Sequence, residues 1–208
     1  MKIIAVASNY SDHIAEMSTG TILCQTKPES PIFFLKGDAV HRLGYPFFYP
    51  DLSSQIEYET EIVVRIDRIG KYIDERFAHR YYSELTVGLD LTARDLQRQA
   101  KAAGKPWTAA KAFESSAVVG QFFPKEQFGD LTNLDFRLEI DGHCVQKGNT
   151  HDMLFSIDQL IAAASRIFPL RMGDLLYCGT PAGVGPIAIG QTLVGYVGNN
   201  KAFEMSVK

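Results

Sequence analysis

The chain has 208 residues, 46% of them hydrophobic and 22% charged, a balance typical of a globular protein and not of a disordered chain. Its net charge of −3 gives no reason to expect nucleic acid as a partner. The sequence contains no apolar run of about eighteen residues, the length that a membrane-spanning helix needs. The length suits one domain over residues 1–208. The apolar start is too short for a secretory signal, so we expect a cytoplasmic protein with Cys24, Cys144 and Cys178 reduced and buried.

Runs of apolar and β-branched residues predict strands along the whole chain. These runs are Lys2–Ala7, Pro31–Leu35, Glu61–Ile66, Glu84–Leu89, Asp135–Ile140, Asp174–Cys178 and Gln191–Val197. Asp141 and Gly142 separate one run from His143–Val145 and predict a hairpin turn. Because strands outnumber helices and seldom alternate with them, we expect an α+β, mostly β fold that is curved and mostly antiparallel, and not a doubly wound sheet.

Two helices are predicted between these strands. Thr92 is expected to cap the first, with Asp95 three residues later, and Gly104 is expected to end it. Ser156 is expected to cap the second helix, in which apolar residues recur at helical spacing over Ile157–Ile167.

Three alternate glutamates, Glu57, Glu59 and Glu61, lie in the stretch Gln55–Val64. If the stretch is extended, side chains alternate between its faces, so the three carboxylates share one face. A solvated face is the alternative interpretation, because water and salt would screen the repulsion there. On a buried face, a cation or protonation must relieve the repulsion between the carboxylates. Carboxylate oxygens without nearby Cys or His favour Mg²⁺ or Mn²⁺ as that cation.

Two other charged residues lie in apolar surroundings. Asp90 ends the run Leu85–Leu89, where a carboxylate needs a partner unless it belongs to a turn. Lys111 lies among small and apolar residues, where an ammonium group needs an acceptor, such as an anionic substrate. A surface lysine that packs its stem on apolar neighbours is the alternative.

Near the start of the chain, His13 and Glu16 are three residues apart and would share one face of a helical turn. A carboxylate beside an imidazole fixes its tautomer and raises its basicity, which gives a general base for water. An incidental surface pair is the alternative interpretation.

The glycine-rich segment Gly179–Gly185 lacks the Lys-Ser/Thr ending of a phosphate-binding loop. We expect a turn that presents Thr180 and backbone N–H groups to a carboxylate.

Together these segments resemble the fumarylacetoacetate hydrolase family, in particular its compact acylpyruvase and oxaloacetate decarboxylase branch. The resemblance covers nearly the whole chain in one order: Asn9–His13 with Glu16, Phe34–Lys36, Glu59–Glu61, Gly88–Gln97, Lys111, Gly173–Asp174 and Gly179–Gly185. It implies a mixed β-roll or β-sandwich of the family's C-terminal-domain type, with a few short helices, a central metal site and a homodimer.

The resemblance also implies roles for individual residues. Glu59, Glu61 and Asp90 match the ligands of Mg²⁺ or Mn²⁺, whereas Glu57 matches no ligand and is expected to lie next to them. The catalytic positions are His13 and Glu16, which would activate water, and Lys111, which would meet the substrate or its oxyanion. Residues 8–20 would form a lid that carries the first two. Lys36, Arg94, Gln97 and Thr180 match positions that line the substrate pocket.

The implied activity is metal-dependent cleavage of the C–C bond of acylpyruvates or related small 2-oxo acids, with oxaloacetate decarboxylation as a second reaction of the same site. Both reactions place negative charge on an enolate that the metal stabilises. A hydratase or isomerase of 2-oxo acids in aromatic catabolism is the alternative enzyme. A non-catalytic protein that keeps the metal pocket is the alternative of a different class, although binding alone needs no base.

Overall fold

The computed structural model describes residues 1–17 and 28–208, and its strands form three sheets within these ranges. The strands are β1 (Ile3–Ala7), β2 (Ile32–Leu35), β3 (Ile56–Tyr58), β4 (Thr60–Ile66), β5 (Tyr82–Asp90), β6 (Thr92–Ala93), β7 (Ala117–Val119), β8 (Phe123–Pro124), β9 (Asp135–Ile140), β10 (His143–Asn149), β11 (Leu175–Tyr177), β12 (Gly185–Pro186), β13 (Thr192–Val197) and β14 (Asn200–Ser206). The helices are α1 (Ser11–Met17), α2 (Glu75–Ala78), α3 (Arg94–Ala102), α4 (Thr108–Lys111) and α5 (Ile157–Ile167).

The largest sheet has the order β2-β1-β11-β4-β5-β7, and β8 also pairs with β5. In it β1 and β11 run parallel, whereas the other pairs are antiparallel. A four-stranded sheet has the order β10-β9-β13-β14, and a small sheet has the order β12-β3-β6. The mostly β, mostly antiparallel architecture with a few short helices is therefore confirmed.

The middle strands of the largest sheet are buried on both faces. Side chains alternate along β4, so Ile62 and Val64 pack in the main core while Val63 packs in a second cluster with Ile3 and Tyr177. This double burial matters for the site, because any carboxylate in the middle of such a sheet lies away from bulk water.

The glutamate-containing stretch does not form the single extended strand that alternation suggested. It divides at Glu59, so that β3 belongs to the small sheet and β4 to the largest sheet. On both sides of the division the carboxylates are buried, and Glu57, Glu59 and Glu61 are 9%, 6% and 1% exposed. The alternative of a solvated acidic face is thereby excluded.

The helix signals were partly right. Ser156 caps α5 through a capping box with Gln159, as its sequence predicts. The expected cap at Thr92 is wrong, because Thr92 lies in β6 and α3 begins two residues later without a side-chain cap. Gly104 follows the end of α3 with φ +62°, a backbone conformation that glycine tolerates.

Local turn chemistry was also predictive. Asp141 and Gly142 have φ values of 51° and 80° and join β9 to β10, so the hairpin is confirmed.

Cys178 is buried as expected, whereas Cys144 is exposed, contrary to expectation, and Cys24 lies outside the described residues. In the described ranges, no helix is long and apolar enough to cross a membrane.

Candidate metal centre and its surroundings

Three carboxylates converge where the small and the largest sheets meet. Glu59 occupies the junction between β3 and β4, Glu61 lies in β4, and Asp90 ends β5. The Asp90 N–H donates to the Glu59 carbonyl at 2.8 Å, which aligns the ends of the two strands. Each residue offers one carboxylate oxygen, and these oxygens lie within 4.8 Å of one another. Strand pairing thus brings the three predicted ligands to one buried point.

Two lysines surround the triad. Lys111 Nζ donates to Glu59 Oε2 and Asp90 Oδ2, both at 2.8 Å, and to Thr92 Oγ1 at 2.7 Å. Lys36 Nζ donates to the other oxygen of Asp90 and to the Lys111 carbonyl. Lys111 and Lys36 are 3% and 0% exposed as residues, so the surface alternative for Lys111 is excluded.

Arg94 connects the triad to Glu57. Its Nε donates to Glu57 Oε2 at 2.6 Å, and its two terminal nitrogens donate to Glu59 Oε1 and Gln97 Oε1, both at 2.7 Å. Glu57 therefore lies beside the predicted ligands and holds the guanidinium in place. An arginine carries five N–H donors, so after these three bonds it retains donors for an anionic ligand.

Electrostatics separates the two glutamates of the triad. Burial raises the pKa of Glu59, but Lys111 and Arg94 outweigh burial, and the pKa falls below its usual range. Burial, Asp90 and Glu59 together hold the pKa of Glu61 well above its usual range. The site is thus short of positive charge at Glu61.

These residues fit a divalent cation. In the buried cluster, four carboxylates (Glu57, Glu59, Glu61 and Asp90) face three cationic side chains (Lys36, Arg94 and Lys111). A divalent ion would relieve the excess negative charge that raises the pKa of Glu61. Carboxylate oxygens are the ligands that hard ions such as Mg²⁺ and Mn²⁺ prefer.

His13 lies on α1, next to Glu16. The distance from His13 Nδ1 to Glu16 Oε2 is 3.5 Å, a contact longer than a full hydrogen bond. Burial lowers the pKa of His13 and outweighs the opposing effect of Glu59, so the imidazole is neutral at neutral pH. A neutral imidazole can accept a proton, as a general base requires.

In the glycine-rich segment Gly179–Gly185, backbone N–H groups contact two glutamate carboxylates of the chain. The Gly179 N–H donates to Glu61 Oε2 at 2.6 Å, and the Gly183 N–H lies 3.2 Å from both oxygens of Glu16. Both glycines have φ near +95°, and a Cβ on Gly179 would lie 2.6 Å from the Cβ of Asn9. This loop therefore links the triad to the helix that carries His13.

Asn9 anchors the chain just before α1. Its side chain is fully buried, and Nδ2 donates to the carbonyls of Phe155 and Cys178 at 3.0 and 2.8 Å. Its Oδ1 accepts from the Phe155 N–H at 2.9 Å. The position of His13 is thus set by contacts at both ends of a short segment.

The structure brings all the predicted site residues into one connected region, although their individual roles stay predictions. Thr180 Oγ1 accepts a hydrogen bond at 2.8 Å from Gln146, a buried residue that sequence reasoning missed. Thr92 was recognised only as a helix cap, yet its hydroxyl contacts Lys111 and Glu59. No local pattern marks either residue, because their partners lie far away along the chain.

Comparison with known proteins extends this picture. Over 194 residues the chain is 39% identical to a mitochondrial oxaloacetate decarboxylase of Dictyostelium discoideum. This alignment covers 92% of this chain and 86% of that protein. It is 37% identical, with the same coverage, to an oxaloacetate tautomerase of Escherichia coli.

Solved structures of similar sequence also share the fold of this chain. A fumarylpyruvate hydrolase from Pseudomonas aeruginosa, in complex with Mn²⁺ and pyruvate, is 32% identical and superposes with a TM-score of 0.91 over 100% of this chain and 89% of that one. A fumarylacetoacetate hydrolase family protein from Yersinia pestis gives 36% identity and a TM-score of 0.92 over 100% and 93% of the two chains. Residues 2–207 match the family model described as fumarylacetoacetate (FAA) hydrolase C-terminal. This chain is therefore a member of the fumarylacetoacetate hydrolase family.

Proposed function

We propose that the chain is a divalent-metal-dependent enzyme that stabilises the enolate of a small 2-oxo acid, with oxaloacetate as the favoured substrate. The observation that carries the proposal is the buried triad of Glu59, Glu61 and Asp90, together with the His13–Glu16 pair on α1. The relatives described as oxaloacetate decarboxylase and oxaloacetate tautomerase support this choice of substrate.

Glu59, Glu61 and Asp90 would hold Mg²⁺ or Mn²⁺, which supplies a Lewis acid for the negative charge that develops on the keto oxygen. Arg94 and Thr180 bind the carboxylate of the 2-oxo acid, and Gln97 orients the guanidinium of Arg94. Burial lowers the pKa of Lys111, but Asp90 and Glu59 outweigh burial and raise it, so its ammonium stays charged beside the oxyanion. Lys36 holds Asp90 and the Lys111 carbonyl in position.

His13 moves the proton in this proposal. Glu16 Oε2 lies 3.5 Å from Nδ1 and is placed to favour a proton on that nitrogen, which would leave Nε2 as the basic nitrogen. In enolisation, Nε2 removes a proton from C3, the electron pair moves to the keto oxygen, and that oxygen takes up a proton to give the enol. In the reverse direction the oxygen loses its proton and the imidazolium returns a proton to C3. In decarboxylation, the bond between C3 and the carboxylate carbon breaks, CO₂ leaves, and the electron pair enters the enolate without help from a base.

A second candidate reaction is hydrolysis of acylpyruvates. It is favoured by the His13–Glu16 pair, which suits activation of a water molecule for attack on a C4 carbonyl, and by the likeness to a fumarylpyruvate hydrolase. A hydratase or isomerase would use the same enolate. A protein that only binds metal and ligand would not need a general base such as the His13–Glu16 pair.

We also propose that residues 8–20 act as a lid, of which residues 18–20 lie outside the described part of the chain. The contact between Glu16 and the Gly183 N–H would hold this segment over the site. The cytoplasmic location expected from the sequence stays a prediction, since several relatives are described as mitochondrial.

The test compares three reactions on the same preparation, with Mg²⁺, Mn²⁺ or a chelator. These are the conversion of enol- to keto-oxaloacetate, the release of pyruvate from oxaloacetate, and the cleavage of acetylpyruvate. We expect metal-dependent turnover of oxaloacetate, loss of that turnover in Glu61→Ala, and weaker Mn²⁺ binding by the same variant in calorimetry. Glu204→Ala is the matched control, because Glu204 is an exposed carboxylate paired only with Lys201 among the described residues. Full activity in chelator would refute the proposal.

A further inference from the structure

Gln146 contacts two parts of the candidate site from a different sheet. It lies in β10 of the four-stranded sheet, and its side chain is buried, with 3% of the residue exposed. We propose that Gln146 is a positioning residue that fixes the direction of the Thr180 hydroxyl, so that this hydroxyl donates to an acceptor on the substrate. The inference rests on the proposed function, because it assigns Thr180 to the substrate carboxylate.

A β-bulge directs Gln146 toward the site. Cys144 pairs with Glu139 and Gln146 with Leu138, so Val145 is an extra residue in β10. Such a bulge bends the strand and re-aims the side chain that follows it.

Glycines let the loop approach this strand closely. A Cβ on Gly148 would lie 2.7 Å from Pro181 Cγ, and a Cβ on Gly183 would lie 3.6 Å from Gln146 Cγ. The loop that carries Thr180 therefore packs directly against Gln146.

The orientation of the Gln146 amide follows from two backbone groups of opposite polarity. The Thr60 N–H donates to Gln146 Oε1 at 2.9 Å, and Gln146 Nε2 donates to the Pro181 carbonyl at 2.9 Å. A backbone N–H can only donate and a carbonyl can only accept, so exchanging the oxygen and nitrogen of the amide would break both bonds. The Thr60 anchor lies between the two candidate ligands Glu59 and Glu61.

This orientation determines the polarity of the Thr180 hydroxyl. The second Nε2 proton of Gln146 points at Thr180 Oγ1, 2.8 Å away, so the hydroxyl oxygen is an acceptor in this bond. Among the described residues the hydroxyl makes no other side-chain hydrogen bond, and its own proton remains to be donated. A carboxylate oxygen of a 2-oxo acid is a matching acceptor for this proton.

The test uses variants at both residues, assayed with saturating Mn²⁺. Gln146→Glu replaces the donor with a carboxylate that accepts the Thr180 proton, so the hydroxyl offers the substrate a lone pair. We expect KM for oxaloacetate to rise roughly 10- to 100-fold, the size of a lost hydrogen bond to a charged group, with a much smaller change in kcat. The Kd for pyruvate, measured by calorimetry in Mn²⁺, should rise in parallel.

Double variants separate positioning from a general structural role. Gln146→Leu should raise KM on its own but add little in a Thr180→Val background, because there is no hydroxyl left to orient. In a Thr180→Ser background, Gln146→Leu should again raise KM. Gln127→Leu is the control, since Gln127 is exposed and contacts Asn200 away from the site.

The outcomes are distinguishable. If the unmodified protein neither turns over 2-oxo acids nor binds pyruvate, the proposed function fails. If the unmodified protein is active but Gln146→Leu raises KM equally with and without the Thr180 hydroxyl, the positioning role is refuted. An unchanged KM in folded Gln146→Glu, with circular dichroism matching the unmodified protein, would also refute it.

Discussion

At the scale of single residues, the proposed chemistry divides between the triad and His13. A metal held by the triad would stabilise the negative charge of the enolate, and each of the proposed reactions needs this stabilisation. His13 would accept a proton. Burial lowers the pKa of its imidazole and so favours the neutral form that can do this. Only reactions that move a proton or activate water need this second function, so substitutions can separate them.

The first prediction concerns this division. His13→Ala should reduce acetylpyruvate cleavage by roughly 10²–10⁴-fold, the usual contribution of a general base, while sparing most oxaloacetate decarboxylation. Glu59→Ala should reduce both reactions equally, because both depend on the metal. Initial rates of both reactions on the same variants are the measurement. Equal losses in His13→Ala with unchanged Mn²⁺ affinity would contradict the division.

A second prediction concerns Lys111. Lys111→Met should destabilise the metal-free protein by about 3 kcal/mol, because it leaves Glu59 and Asp90 buried without their shared cation. Added Mn²⁺ should restore part of the loss, since a ligand of the folded state stabilises it. Urea denaturation with and without Mn²⁺ measures both effects. Lys105→Met, at an exposed position, is the control, and equal stability of the two variants would argue against the role of Lys111.

The family resemblance predicted the ligand triad, but not how its charge is balanced. Alternation alone nominated Glu57, Glu59 and Glu61, and the resemblance was needed to select Asp90 in place of Glu57. The partners of Thr92 and Gln146 could not be predicted, because Lys111 and Thr180 are 19 and 34 residues away along the chain. Hydrogen bonds over such separations depend on how the sheets pack, and periodicity contains no information about packing.

At the scale of elements, two strands that lead into the candidate site, β1 and β11, are held together by polar contacts at their starts. Asp174 precedes β11, is 1% exposed, and accepts from the backbone N–H groups of Lys2 and Arg171 at 2.7 and 2.8 Å. It also pairs with the ammonium of Lys2, just before β1. This contact sets the start of the parallel β1–β11 pair, whose far ends lead to Asn9 and Gly179.

The third prediction concerns this fastening. Burial raises the pKa of Asp174, but its bonds to Lys2 outweigh burial and lower the pKa below its usual value. Because the folded-state pKa is depressed, the stabilisation is complete above about pH 4 and is lost as pH falls through the folded-state value. Asp174→Asn should therefore cost about 2 kcal/mol at neutral pH and much less in strong acid.

The measurement is urea denaturation of the Asp174→Asn variant and the unmodified protein at pH 7 and pH 3. Asp51→Asn is the control, because Asp51 is exposed. A difference between Asp174→Asn and the unmodified protein that does not change with pH would show that the charge of Asp174 contributes nothing.

Elements with local signals were the ones that the sequence predicted well. The capping box of α5 and the β9–β10 turn are encoded within a few residues, and both formed as expected. The division of the glutamate stretch at Glu59 was not predictable. It depends on pairing of β3 with β6 and β12, and on Gln146, which binds the freed N–H of Thr60.

At the scale of the whole molecule, the edge of the largest sheet bears exposed apolar side chains. In β2, which is the edge strand, Ile32 and Leu35 are 50% and 42% exposed. Exposed edges of this kind can pair or pack with another chain. The family resemblance led us to expect a homodimer, and its interface stays a prediction.

The fourth prediction is that the protein is a homodimer in solution. Light scattering at micromolar concentration should give about twice the 23.1 kDa mass of the chain. A mass of 23.1 kDa across the whole concentration series would rule out a stable dimer.

The proposed base lies on a helix of seven residues, whereas the triad is buried where two sheets meet. The helix is attached through Asn9 at one end and through the contact of Glu16 with Gly183 at the other. Such a segment can be exchanged as a unit. Grafting a different sequence onto residues 11–17, with the buried Ile14 kept, would leave the triad in place and change the side chains that face it. New activities within this fold would therefore arise most readily at the start of the chain, and protein engineering should begin there.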